Sequence, residues 1–285
     1  MNKAVEKIRL YWPLIKSLQT GLLVFTGMAG FMTARCPINN VLPLTGLLIS
    51  LFASISGSTI LNMWWDRDID AKMMRTRKRP LASNKIDAQE AFWIGLFLSV
   101  FGVGFAFLMD VYFGVIIFAG LFFDVVIYTI WLKRRTCWSI VWGGISGAMP
   151  ILAGRVLGLG SFDWIGIVLS LGILFWIPTH ILTFSMRYFD DYKIADIPTF
   201  VSSYGVAVTR GVIAYSSVIA VIAMGFAAWG IGMSWGFLSI LAILSVGLVS
   251  FAGIMLFRPS GRLDFGLFKF ASVYMLFSMV LMAFV

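Results

Sequence analysis

The chain has 285 residues, 60% of them hydrophobic and 12% charged, with a net charge of +9. Soluble globular domains carry about 25% charged residues, so this composition excludes a water-soluble chain. It implies an all-α, polytopic membrane helical bundle. The basic excess is read as attraction to an anionic lipid surface, and no nucleic-acid partner is expected.

Apolar runs of spanning length fall near residues 16–35, 41–63, 90–109, 111–132, 138–157, 163–186, 207–231, 234–257 and 264–285. That makes about nine transmembrane helices around a central cavity, in one membrane domain covering 1–285. Lys3, Lys7, Arg9 and Lys16 precede or open the first span. This span is too long, and lacks the small-residue pattern, for a cleavable signal peptide. The second span runs into NMWWDRDIDAKMMRTRKRPL, Asn62 to Leu81, with three aspartates and six basic residues. Asp110 separates the third and fourth spans so narrowly that they form a tight hairpin.

Asp124 lies nine residues before Lys133, ~13 Å inside the fourth span at ~1.5 Å per residue. A charge that deep is costly. It is expected to face the cavity and to pair with an Arg or, protonated, to donate to Tyr128 at i+4. Arg155, near the far end of the fifth span, is expected to snorkel to the interface. Cys36 and Cys137 lie near opposite ends of the membrane, too far apart for a disulfide. The sixth span carries Pro178 and the only histidine, His180, an intramembrane ionisable group and so a functional candidate. After it comes RYFDDYKIADIP, with Asp190, Asp191 and Asp196.

With nine spans, the basic clusters all fall on one side. Of 22 Lys and Arg, only Arg35 and Arg155 fall on the other. The positive-inside rule then puts the N-terminus in the cytoplasm. The charged loops 66–88 and 187–199 are four spans apart, so both emerge on the cytoplasmic side of a cell membrane. That spacing suggests a diverged parallel repeat.

Asn62, Asp66 and Asp70 are spaced i, i+4, i+8 and share one helix face, while Asp68 points elsewhere. Like charges at that spacing repel, and an aligned set of hard oxygens suits Mg²⁺. One or two of Asp190, Asp191 and Asp196 are expected to face them. Lys72, Arg75, Arg77, Lys78 and Arg79 follow the first motif, and Lys133, Arg187 and Lys193 share its side. Arg matches phosphate oxygens well. Acids for Mg²⁺ and bases for phosphate, at the mouth of an apolar cavity, fit a diphosphate head with a hydrocarbon tail. A lone surface Asp–Arg pair is more often idle. Two acidic motifs on one side, one in strict register, outweigh that reading.

Asn62-x-x-x-Asp66-x-x-x-Asp70 followed by RTRKRPL resembles the first motif of UbiA-type intramembrane prenyltransferases, and Asp190 to Asp196 falls at their second. Within that superfamily, NMWWDRDIDAKMMRTRKRPL, YTIWLKRRT (Tyr128 to Thr136), GGISGAMPILAG (Gly143 to Gly154) and WIPTHILTFSMRYFDDYKIADIP resemble the protoheme IX farnesyltransferase (heme O synthase) branch. The matching stretches run from about Asn62 to Pro198. The chain departs from that pattern at Asp124 and Arg155, where the branch has aromatics, at Lys16-Ser17-Leu18, and after Asp196.

The resemblance implies transfer of a farnesyl group from farnesyl diphosphate to a vinyl group of heme B. Asn62, Asp66, Asp70, Asp190, Asp191 and Asp196 would hold Mg²⁺, with Asp66, Asp70 and Asp191 as the catalytic acids. Lys72, Arg75, Arg79, Arg187 and Lys193 would hold diphosphate. His180, Tyr128 and Asp124 are the residues expected near heme, His180 as a candidate iron ligand. Another acceptor, an aromatic quinone precursor or an isoprenyl glycerol phosphate, is the rival within the superfamily. A transporter or lipid-binding protein is the rival outside it. Transporters concentrate charge at mid-membrane, whereas here it gathers at one face.

Overall fold

The computed structural model describes residues 9–34 and 41–284, all of whose regular structure is helical. Cys36 and Arg35, with the expectations attached to them, lie outside the described residues. Eight helices are long and apolar enough to cross a membrane: α2 (Val41–Trp65), α3 (Ala88–Met109), α4 (Val111–Leu132), α5 (Ser139–Leu159), α6 (Trp164–Arg187), α7 (Phe200–Ile231), α8 (Trp235–Phe257) and α9 (Gly261–Ala283). The first expected span is a broken one. A short helical stretch, Arg9–Ile15, meets α1 (Ser17–Met32) at 48°. The hinge is Lys16, in the left-handed conformation at φ 45°, where a side chain is strained. Thr20 helps hold the bend by donating its hydroxyl to the Ile15 carbonyl at 2.6 Å.

Asp110 does form the hairpin, ending α3 and capping α4 by accepting from the Phe113 N–H at 2.8 Å. The seventh helix starts earlier than expected, at Phe200. Thr199 and Ser202 form a capping box there. The chain then kinks at Gly205, whose φ of 79° suits a residue without a Cβ.

With lipid as solvent, helices associate by close packing and polar contacts rather than by hydrophobic burial. Small residues set the closest approaches. A side chain added at Gly30 would collide with the Ile151 main chain, and one at Gly154 with the Gly27 main chain, so α1 and α5 touch backbone to backbone. Ser50 donates to the Gly102 carbonyl at 2.7 Å where α2 meets α3. α7 packs along α6, and α8 bridges α7 and α9. Helices α1, α2, α4, α5, α6 and α9 surround a cavity of about 430 Å³.

At the end of the bundle away from the charged loops, Arg155 corrects the expectation. It does not snorkel. It is 5% exposed, donates to Asp163 through Nε at 2.8 Å and Nη2 at 2.6 Å, and to the Thr33 carbonyl at 2.7 Å. Asp163 also caps α6 at the Gly166 N–H. Burial pushes the Asp163 carboxyl up, but the Arg155 and Gly166 hydrogen bonds outweigh it and hold it below the usual range. One guanidinium thus ties α5 to α1 and to the start of α6. Arg155→Met should lower the thermal midpoint in detergent by the equivalent of about 3 kcal/mol, the usual cost of stranding a paired charge. Pairing it with Asp163→Asn should recover part of the loss.

Candidate active site

Helix α2 carries the first acidic motif across its own end. The helix stops at Trp65 and a short one, Arg67–Lys72, follows. The main-chain bonds Asp66 N–H to Asn62 C=O, 3.0 Å, and Asp70 N–H to Asp66 C=O, 2.8 Å, carry the helical register through the break. Asn62, Asp66 and Asp70 therefore keep a common face. Asp66 and Asp70 are buried at 3% and 6% exposure, while Asp68 is exposed.

Each buried group has a basic or polar partner. Lys133, just past α4, donates to Asp66 Oδ2 in a very short contact. Arg134 forks onto Asp68 at 2.7 and 2.8 Å and stands 3.7 Å from Asp66 Oδ1. The Arg134 hydrogen bond holds the Asp68 carboxyl below the usual carboxylate range. Arg79 donates to Asp70 Oδ2 at 2.7 Å. Asp66 Oδ1 is buried and accepts no hydrogen bond.

The second motif meets the first. Ile69 and Met73 pack with Ala195 and Ile197 in a small apolar cluster. Asp191 is buried, and its two oxygens accept the main-chain N–H groups of Met74, 3.0 Å, and Arg75, 3.2 Å. Its carboxylate thereby staples the basic loop to the end of α6. Arg75 lies over Phe184 at 5.0 Å and Tyr188 at 5.5 Å, and Arg187 lies over Phe265 at 3.9 Å, both cation–π contacts. Asp190, Asp196, Lys72 and Lys193 are exposed. Among the described residues, no side-chain hydrogen bond or ion pair draws those four into the cluster.

The cavity opens beside this cluster. Lys16, Asn62, Asp124, Tyr128, His180 and Ser272 line it, along with many apolar residues. So the three groups expected near an acceptor share one wall space. The expected partners of Asp124 are corrected: it bonds neither an Arg nor Tyr128. Its Oδ2 accepts from Asn62 Nδ2 at 2.8 Å and, in a very short contact, from Ser58 Oγ. His180 is sandwiched between Trp176 and Phe268, with ring centroids at 4.9 and 4.5 Å. The Ser272 hydroxyl gives its single proton to the Phe268 carbonyl at 2.9 Å. At 3.2 Å from His180 Nδ1 it must then accept. A proton on Nδ1 satisfies both contacts, and among the described residues Nε2 makes no hydrogen bond.

The donor chemistry fits a hard divalent cation. Asp66 Oδ1 lacks a hydrogen bond, Asp70 keeps a second oxygen, and the Asn62 amide oxygen lies one turn away. Among the described residues, however, no three Asp, Glu, His or Cys side chains converge into a ready metal cage. Sequence reasoning left out Lys16, Arg134, Ser58 and Thr129, and gave Lys133 only a place on the same side. Ser58 stands four residues before Asn62 on the same helix, so spacing could have found it, whereas Thr129, Lys133 and Arg134 reach the motif from another helix, which no spacing reveals. The Lys133-Arg134-Arg135 run after the fourth span was the available signal.

Residues 22–280 match the UbiA prenyltransferase family. A protoheme IX farnesyltransferase from Archaeoglobus fulgidus is 43% identical over 198 residues, 69% of each chain. Among solved structures, a digeranylgeranylglyceryl phosphate synthase superposes with a TM-score of 0.83 at 19% identity, covering 98% of both chains. A UbiA homologue from Archaeoglobus fulgidus, bound to GPP and Mg²⁺, gives 0.68 at 14% identity, covering 96% of this chain and 99% of that one.

The staple has a measurable consequence. Asp191→Ala leaves two N–H groups without acceptors. Tryptic cleavage after Arg75, Arg77 and Lys78 should then quicken by roughly tenfold, as expected for losing one to two kcal/mol of local order. Gel-based proteolysis of the detergent-purified protein reads it directly.

Proposed function

The chain belongs to the UbiA prenyltransferase family, and on that premise we propose that it transfers the farnesyl group of farnesyl diphosphate to a vinyl group of heme B. The products are heme O and diphosphate. The observation that carries this reading is the adjacency of two features. A buried cluster of paired acids and bases stands at one end of an apolar cavity, and a cavity-facing imidazole stands in its wall. The heme acceptor follows the protoheme IX farnesyltransferases that this chain resembles.

We assign the cation site to Asn62, Asp66 and Asp70. When bound there, Mg²⁺ neutralises charge on the leaving diphosphate. Arg79, Lys133 and Arg134, already on the motif's carboxylates, are placed to exchange toward phosphate oxygens, with Arg75, Arg187, Lys72 and Lys193 around them. Asp191 acts through the loop it staples, and Asp190 and Asp196 remain outer candidates for the metal. The farnesyl C–O bond breaks and its electron pair leaves with the diphosphate. The vinyl π electrons of heme attack the allylic cation. Water adds to the resulting carbocation and loses a proton, so the product carries farnesyl plus a hydroxyl. The cavity walls exclude bulk water from the allylic cation before attack. Tyr128 and His180 stand where a flat acceptor would enter, with Nε2 free to bind its iron.

The protein is a multi-pass membrane protein. The skew of Lys and Arg toward the motif end supports a cell-membrane location with the site open to the cytoplasm, and the whole chain forms a single catalytic domain.

The test is purified protein with heme B, farnesyl diphosphate and Mg²⁺, read by mass spectrometry, with an EDTA control. A metal-dependent heme product carrying farnesyl plus water is expected. Diphosphate release without a heme product would move the acceptor to another class. Asp66→Ala and Asp70→Ala should each lower turnover by at least about 100-fold, the scale for losing transition-state charge stabilisation, while staying folded in the membrane. In a separate absorption titration with heme B, His180→Ala should lose the signature of nitrogen ligation that the parent shows.

A further inference from the structure

Asp124 is given no step in the reaction as written. It sits inside α4, where an ionised side chain is expensive unless it is satisfied. Among the described residues no cation forms an ion pair with it. What faces it is Ser58 and the Asn62 side chain.

The Asn62 amide is held at both ends. Its Nδ2 donates to Asp124 Oδ2 at 2.8 Å, and its Oδ1 accepts from Thr129 Oγ1 at 2.7 Å. Thr129 is fully buried. A carboxylate only accepts, so the amide face toward Asp124 has to be the NH₂. Turning the amide over would set two acceptors against each other at Asp124, while the Thr129 hydroxyl holds the other end of the amide in place. One of the two amide orientations is therefore selected. In it, Oδ1 has one lone pair on Thr129 and a second one unused.

The helix around Asp124 is what makes the clamp possible. Phe122–Leu132 is wound as a π-helix, continued by the Lys133 N–H to Tyr128 C=O bond of 2.8 Å. Asp124 and Thr129 are five residues apart, the π-helical hydrogen-bond period. In an α-helix, five residues turn through a full circle plus ~140°, and the two side chains would face different neighbours. Wide turns of this kind recur at functional sites.

We propose that Asp124 and Thr129 are positioning residues that clamp the Asn62 amide with its carbonyl oxygen preset as a neutral metal ligand beside Asp66. This rests on the reading of Asn62 as a Mg²⁺ ligand. An unclamped amide flips, and half of its orientations present N–H to the cation. Removing groups that orient a metal ligand typically lowers metal affinity 10–100-fold.

The experiment titrates Mg²⁺ into the detergent-purified protein with farnesyl thiolodiphosphate, a slow-reacting donor analogue, and follows binding by calorimetry, with a thermal midpoint for each variant. Thr129→Val keeps the shape and loses the hydroxyl. It should raise the Mg²⁺ needed for half-saturation by about tenfold while the thermal midpoint stays near that of the parent. Asp124→Leu should do the same, and Asp124→Asn, whose amide oxygen still accepts from Ser58 and Asn62, should recover most of the affinity. If Asn62→Ala shifts the titration but Thr129→Val and Asp124→Leu do not, the clamp is overturned. It is also overturned if the shift appears only with a collapsed midpoint and Asp124→Asn fails to restore it. An Asn62→Ala protein that titrates like the parent would instead remove the metal reading of Asn62 itself.

Discussion

A membrane interior supplies no water to satisfy a polar side chain, so most buried polar groups here are satisfied by one another, with Ser56, Trp65, Ser99 and Asp66 Oδ1 as the exceptions among the described residues. That constraint produces a polar column between α2 and α4. It runs from Ser58 and Asp124 through Asn62 and Thr129 to Asp66 and Lys133. The column sets the register of the two helices against each other, because a shift of either by one residue would strand several buried donors at once. Everything proposed for the site depends on it. It lines up the acidic motif, fills the cavity end with fixed dipoles, and brings the bases after α4 onto the acids after α2.

The same rule operates at the loops in a different form. Asp191, from the segment after α6, satisfies two main-chain N–H groups of the segment after α2. The two acidic segments are thus linked by a carboxylate-to-backbone staple and a small apolar cluster. At the other end of the bundle, Arg155, Asp163 and Thr33 close the structure where α1, α5 and α6 meet. The cavity between these two polar ends is left to apolar side chains, with the His180 imidazole presented by its stacked neighbours and Ser272. Buried charge at the ends and a mostly apolar middle suit a ligand with a charged head and a hydrocarbon body.

Much of the fold was legible because spanning helices are written as long apolar runs. The second to sixth spans, and the eighth and ninth, fall within a few residues of their expected places. The break at Lys16 was not legible: lysine has no preference for a left-handed conformation, and the Thr20 hydroxyl that helps hold the bend carries no signal in the sequence. The early start of α7 was hidden because the polar residues Thr199 and Ser202 read as loop while serving as cap. Within the site, Asn62, Asp66, Asp70 and Arg79 were readable from spacing and composition. The partners that reach Asn62 and Asp66 from α4 and the segment after it were not. Arg155 looked like an interfacial arginine because its position near a helix end says nothing of which side it turns to.

By itself, then, the sequence determined that this is a helical membrane protein with two acidic motifs on one side, since both facts rest on local composition and on the 3.6-residue period. Only the tertiary structure decided which atoms those motifs meet. It assigned Asp191 to the main chain of the basic loop, Lys133 to Asp66, and Asp124 to Asn62. The physical reason is that such pairings join residues more than sixty positions apart, and depend on helix rotation, on a five-residue π turn, and on which donors a water-free interior leaves unsatisfied.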